Sequence, residues 1–132
     1  MSTLAFKTIG IGVTFSPNLE ANINEAARFA LCFSSKLVLI HVGEASEKKT
    51  NIFLRFLNPF KSKGLEFELL FQPGDPVDVI LSSTKEKKVD LLIIGALKKE
   101  NFLKLIEFFI ENYLLDYSHH KIQDYIKFYN AL

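Results

Sequence analysis

Apolar residues along this chain fall into two alternating rhythms: short apolar-rich runs, and stretches in which they recur every three or four positions. The runs are Phe6 to Val13 (F-K-T-I-G-I-G-V), Lys36 to Val42 (K-L-V-L-I-H-V) and Val89 to Gly95 (V-D-L-L-I-I-G). Runs of this kind, closed by glycine or turn residues, predict strands covered on both faces, as inside a parallel sheet. Leu65 to Gln72 (L-E-F-E-L-L-F-Q) instead alternates at its start, with Glu66 and Glu68 opposed to Leu65, Phe67 and Leu69, and so predicts a strand at a sheet edge.

The intervening stretches predict helices. Ser16 as cap and Pro17 at the first position open a helix running to about Phe33, with Leu19, Ile23, Ala26, Ala30 and Phe33 on its buried face. Ser46 opens a second, in which Ile52, Phe53, Phe56 and Leu57 share a face and Asn58-Pro59 ends it; Lys61 to Gly64 is a turn. A third begins at Asp75 and Pro76 with Asp78 answering the cap, buries Val77, Ile80, Leu81 and Thr84, and places Lys85, Lys87 and Lys88 at the negative end of its dipole. Strands alternating with helices through short links predict an α/β sheet with right-handed crossovers. In such sheets ligands sit beyond the carboxyl ends of the strands, which directs attention to the loop Ala96 to Asn101.

The last third is different. From Phe102 to Leu115, Lys104, Glu107 and Glu111 form one narrow polar stripe with Asn112 beside it, and the other ten positions are apolar. A helix that covers only a sheet needs about one apolar stripe, so this one is expected to be covered on a second side. After Ser118-His119-His120, residues Ile122, Tyr125, Ile126, Tyr129 and Leu132 recur at helical spacing; a strand from Ile126 to Tyr129 is the alternative. The expectation is one domain over residues 1–132, with 1–118 as its core and 119–132 as an atypical tail. Phe102, Phe109, Tyr113, Ile122, Tyr125, Ile126 and Tyr129 are the candidate contact residues for a second copy or a protein partner.

Composition narrows the function classes. The chain has 132 residues, 48% of them hydrophobic, which suits one compact core. Lys plus Arg number 16 against 15 Asp plus Glu, so no net field favours nucleic acid or an anionic bilayer. Charged residues interrupt the longest apolar run before it reaches the ~18 residues of a membrane span. One cysteine, Cys32, leaves no internal disulfide, and the first residues lack the apolar run of a signal peptide, so a cytoplasmic location is expected.

Three stretches together resemble the universal stress protein family. V-T-F-S with the helix after it, ending in K-L-V-L-I-H-V, is similar to that family's first strand, first helix and second strand. P-G-D-P-V-D-V-I followed by V-D-L-L-I-I-G resembles its third turn, third helix and fourth strand. The resemblance covers roughly residues 6 to 96. It implies a flavodoxin-like, Rossmann-like three-layer sandwich with strand order 3-2-1-4-5 and a cleft between the first and fourth strands.

ATP-binding members of the family carry an aspartate where this chain has Thr14, and a G-x2-G-x9-G-[S/T] pattern after the fourth strand. Gly95 matches that pattern, but Lys98 stands at the second glycine and Phe108-Phe109 at the final pair. The resemblance therefore implies a degenerate member with no cofactor, ATP being the minor alternative, acting in stress response by forming a homodimer or binding a protein partner. The competing reading is a small-molecule or nucleotide sensor with a modified cleft of Thr14, Phe15, Ser16, His41, Val42, Gly95 and Lys98. The family's fifth strand, which commonly pairs two subunits, has no clear counterpart in H-H-K-I-Q-D-Y-I-K-F-Y-N-A-L.

The remaining chemically capable residues read more simply as structure. His119-His120 is a polar turn, because no Cys, Asp or Glu spacing completes a metal set. His41, inside a strand, is expected to be a satisfied interior residue rather than a base. Cys32, beside small helical residues, is expected to be buried packing rather than a nucleophile. No Ser, His and Asp arrangement marks an enzyme.

Overall fold

A computed structural model describes residues 6–94 together with Leu103, Lys104 and Glu107. The strands are β1 (Thr8–Val13), β2 (Lys36–Val42), β3 (Glu66–Gln72) and β4 (Leu91–Ile94), and the helices between them are α1 (Leu19–Cys32), α2 (Glu47–Lys61) and α3 (Pro76–Glu86). All strand pairs are parallel and the order is β3-β2-β1-β4, so the expected flavodoxin-like α/β arrangement is observed. The tail from Phe108 onward, with His119-His120, and the candidate contact residues Phe102, Phe109, Tyr113, Ile122, Tyr125, Ile126 and Tyr129 lie outside the described residues. Leu103, Lys104 and Glu107 are helical and exposed.

Strand order decides where the helices go. The chain steps one way from β1 to β3, so right-handed crossovers put α1 and α2 on one face; it then returns to β4 with α3 on the other. Alternation along the strands feeds two cores. Ile9, Ile11, Val13, Leu37, Leu39 and Leu91 pack with Ile23, Ala27, Phe53 and Leu57 on the first face, while Val38, Ile40, Leu92 and Ile94 pack with Val77, Val79, Ile80 and Val89 on the second. β1 needs small residues on that second face: a Cβ at Gly10 would lie 3.1 Å from both Cγ atoms of Val89. Just before β4, the Asp90 carboxylate accepts the backbone N–H groups of Lys7 (2.8 Å) and Thr8 (3.0 Å), tying the entrance of β4 to that of β1.

Four local expectations change. The first helix begins at Leu19 rather than directly after Ser16, because Ser16 is used in a turn: its N–H donates to the Thr14 carbonyl and its own carbonyl accepts from Leu19 N–H. Pro59 does not end α2, which continues to Lys61. A proline in the last turn sacrifices one hydrogen bond, and continuing the turn buries Phe60. Cys32 is exposed, since the buried face of α1 runs through Leu19, Ile23, Ala26, Ala27 and Ala30 and leaves position 32 outside it. Phe33, one residue past the helix, is also exposed, although its ring still meets those of Phe6 and Phe29. The caps of the other helices form as expected, with Ser46 Oγ accepting from Lys49 N–H and Asp75 Oδ2 from Asp78 N–H.

Candidate functional site

The chain leaves β1 toward β2 on one side and later crosses back from β3 to place β4 on the other, and such a switch point opens a crevice beyond the strand ends. The residues that β1 sends there are Thr14 and Phe15, both exposed, followed by half-buried Ser16. Alternation sends Phe15 to the same face as Val13, toward α2. There its ring stacks on Phe53 with centroids 5.0 Å apart and meets the His41 ring edge-on at 5.1 Å.

His41, near the end of β2, is the most enclosed polar group of this region. Phe15, Phe53 and Phe71 surround its ring, the latter two with centroids at 5.8 Å. Nδ1 lies 3.1 Å from the Val13 carbonyl oxygen. A carbonyl can only accept, so Nδ1 carries the proton and Nε2 keeps its lone pair. Burial pushes the His41 pKa below its ordinary value, the Lys49 ammonium pushes it the same way, and the Val13 carbonyl opposes both. The imidazole is therefore neutral at pH 7, held in one tautomer by β1 and boxed by carbon.

Gly43 follows from that geometry. A Cβ there would sit 2.9 Å from His41 Nε2, and its φ of +156° is one that side-chain-bearing residues rarely adopt. Lys49 Nζ closes the same loop by donating to the Glu44 carbonyl at 3.1 Å.

The sequence-predicted site residues thus separate into two groups. Phe15 and His41 are brought into contact, Thr14 and Ser16 lie beside them in the loop after β1, and Val42 is half-buried at the end of β2. Gly95 and Lys98 lie outside the described residues. Phe53 and Phe71 join the site without having been singled out for it. Phe53 belonged to a predicted buried helical face, and only the strand order brings it over the end of β1. Among the described residues no group of three His, Cys, Asp or Glu could hold a metal ion, and no helix is long and apolar enough to cross a membrane.

No protein-family model matches the chain, and no curated protein matches it. Solved structures do, and many of them are universal stress proteins. One, a universal stress protein in complex with cAMP, shares 22% identity with a TM-score of 0.59 over 75% of this chain and 82% of its own. A universal stress protein from Archaeoglobus fulgidus in complex with dAMP shares 18% identity, with a TM-score of 0.59 over 76% of this chain and 90% of its own. A family protein from Arabidopsis thaliana with AMP bound shares 19% identity, with a TM-score of 0.52 over 94% and 91%. The chain therefore has the fold of universal stress proteins.

Proposed function

We propose that this chain is a universal-stress-type protein that does not bind ATP and works through contact with a second copy or another protein. The observation that carries this reading is the composition of the β1 side of the crevice. A nucleotide's ribose and phosphates call for carboxylates, hydroxyls and clustered N–H donors. On the β1 side the described residues offer no carboxylate, only the hydroxyls of Thr14 and Ser16 and a phenylalanine whose ring is stacked on Phe53 and set edge-on to His41. The one buried titratable side chain among the described residues, His41, already spends its donor on Val13. Lys98 and Phe108 at the positions of the family's glycines, and Phe109 at that of its Ser or Thr, support the same reading from sequence. The apolar surplus between Phe102 and Leu115 supports a contact role, with Phe102, Phe109, Tyr113, Ile122, Tyr125, Ile126 and Tyr129 as the contact residues. The proposed role is binding rather than catalysis.

One observation favours a second reading, a sensor for a nucleoside monophosphate or similar small molecule. The Phe15 ring is 43% exposed at the crevice, where a planar base could stack on it, and similarly folded universal stress proteins are seen with cAMP, dAMP and AMP. Native mass spectrometry of the purified chain separates the two. Empty protein is expected; a retained nucleotide at stoichiometric level would reverse the order of the readings.

A further inference from the structure

From the geometry of β3 we infer a second-copy docking surface: its outer edge pairs antiparallel with the same edge of another chain, about a two-fold axis through Leu69. Among the described residues β3 pairs only with β2, in unbroken parallel register from Lys36↔Glu66 to Val42↔Gln72. Edge strands are ordinarily guarded by proline, a bulge or unpaired charge. β3 contains no proline and no residue of positive φ. Of its two charges, Glu68 is paired on both sides with Lys36 and Lys87, which leaves the charge of Glu66 at the exposed first position as the guard on this edge. Phe67, Leu69, Leu70 and Phe71 are each only half-buried, whereas Leu37 to Ile40 of β2 are fully so.

Backbone direction fixes what the edge presents. The Gln72 carbonyl accepts from Gly43 N–H, so it faces β2. Successive residues of a strand turn their N–H and C=O groups to opposite sides, which leaves those of Phe67, Leu69 and Phe71 facing outward. Three residues on each chain then supply three donors and three acceptors.

Register selects the partner. Residues opposed across a two-fold axis perpendicular to the sheet must share a face, so the axis passes through a residue rather than between two. An axis at Glu68 would set that carboxylate against its own copy. An axis at Leu70 would push Phe67 out against Pro73. An axis at Leu69 uses all seven residues: Phe67 meets Phe71 twice, Leu69 meets itself, Glu68 meets Leu70, and Glu66 meets Gln72. No like charges oppose each other, and the apolar side chains fall on the same face as their counterparts. The strand is complementary to itself, which is what a closed two-fold pair requires. This surface stands independently of whether the crevice takes a nucleotide.

Gln72 gives the test, because it is polar and faces Glu66 of the other copy at two symmetric places. Light scattering and sedimentation on the full chain are expected to show a dimer. Gln72→Lys should tighten that dimer and Gln72→Glu should loosen it, the two Kd values differing by roughly tenfold or more, with circular dichroism showing the same fold in both. The difference should shrink as salt rises. A monomer at high concentration, or a dimer equally strong in both variants, overturns the inference. The second of these outcomes leaves a contact role through the C-terminal residues intact, and retained nucleotide bears only on the crevice.

Discussion

Truncating Phe53 to alanine removes the ring that joins α2 to the ends of three strands. Phe53 is 1% exposed and touches the rings of Phe15 (5.0 Å), Phe71 (5.7 Å) and His41 (5.8 Å). Core phenylalanine-to-alanine changes cost ~3–5 kcal/mol. Three ring contacts, each worth about 0.5–1.5 kcal/mol beyond the area they bury, place this one in the upper half of that range. At a urea slope of about 2 kcal/mol per molar, the unfolding midpoint should fall by about 2 M. A domain whose whole stability is ~5–15 kcal/mol would remain folded, though with little in reserve. The same change opens one wall around His41. Burial is the largest cause of that residue's lowered pKa, so its titration, followed by the ring proton resonances, should move up toward 6.5. A loss below about 1.5 kcal/mol would refute the packing argument, and a titration that stays put while the midpoint drops would refute the claim that Phe53 keeps water from the imidazole.

Three further outcomes follow from particular contacts. Because the folded pKa of His41 lies below its unfolded 6.5, the unfolded chain binds more protons between those two values, so His41 contributes stability that is complete above 6.5 and is lost as pH falls toward the folded value. Replacing His41 with glutamine should flatten that part of the stability-versus-pH curve, and an unchanged slope would assign it to other groups. Asp90→Ala leaves the Lys7 and Thr8 N–H groups without their acceptor and should cost ~1–3 kcal/mol, with faster amide exchange at both. Gly10→Ala forces a methyl against Val89 and should cost ~1–3 kcal/mol; much of the loss should return in the double variant that also carries Val89→Ala, and strict additivity would show that the two positions do not meet.

The fold was legible because each strand and helix announced itself locally. Apolar runs closed by glycine or turn residues marked β1, β2 and β4, the alternation of Glu66 and Glu68 with Phe67 and Leu69 marked the edge strand, and Ser46 and Asp75 marked two helix starts that the structure reproduces. What failed locally failed because tertiary contacts outweighed a local rule. Pro59 should stop a helix, but burying Phe60 favours one more turn. Cys32 neighbours small residues in sequence, yet its direction on α1 takes it outside the buried face.

The site was less legible. Thr14, Phe15 and His41 could be named from the ends of strands, and the interior, satisfied character expected of His41 is what the Val13 contact and the aromatic box provide. The closing of that box by Phe53 and Phe71 could not be read, since it depends on three strands ending side by side. The pairing of Glu68 with Lys36 and Lys87 was hidden for the same reason: Lys87 comes from the end of α3, on the far side of a crossover. Hydrogen bonding to those two lysines, Lys87 first, holds the Glu68 carboxyl below the usual carboxylate range.

Titration calorimetry of the full chain with ATP and magnesium, then with AMP and cAMP, tests the central claim most directly. With Phe15 and His41 packed against Phe53 and no carboxylate at Thr14, no binding heat is expected at micromolar ligand. A saturable exothermic isotherm with a micromolar Kd for any of the three, abolished by Phe15→Ala, would contradict the contact reading and make the crevice a nucleotide site.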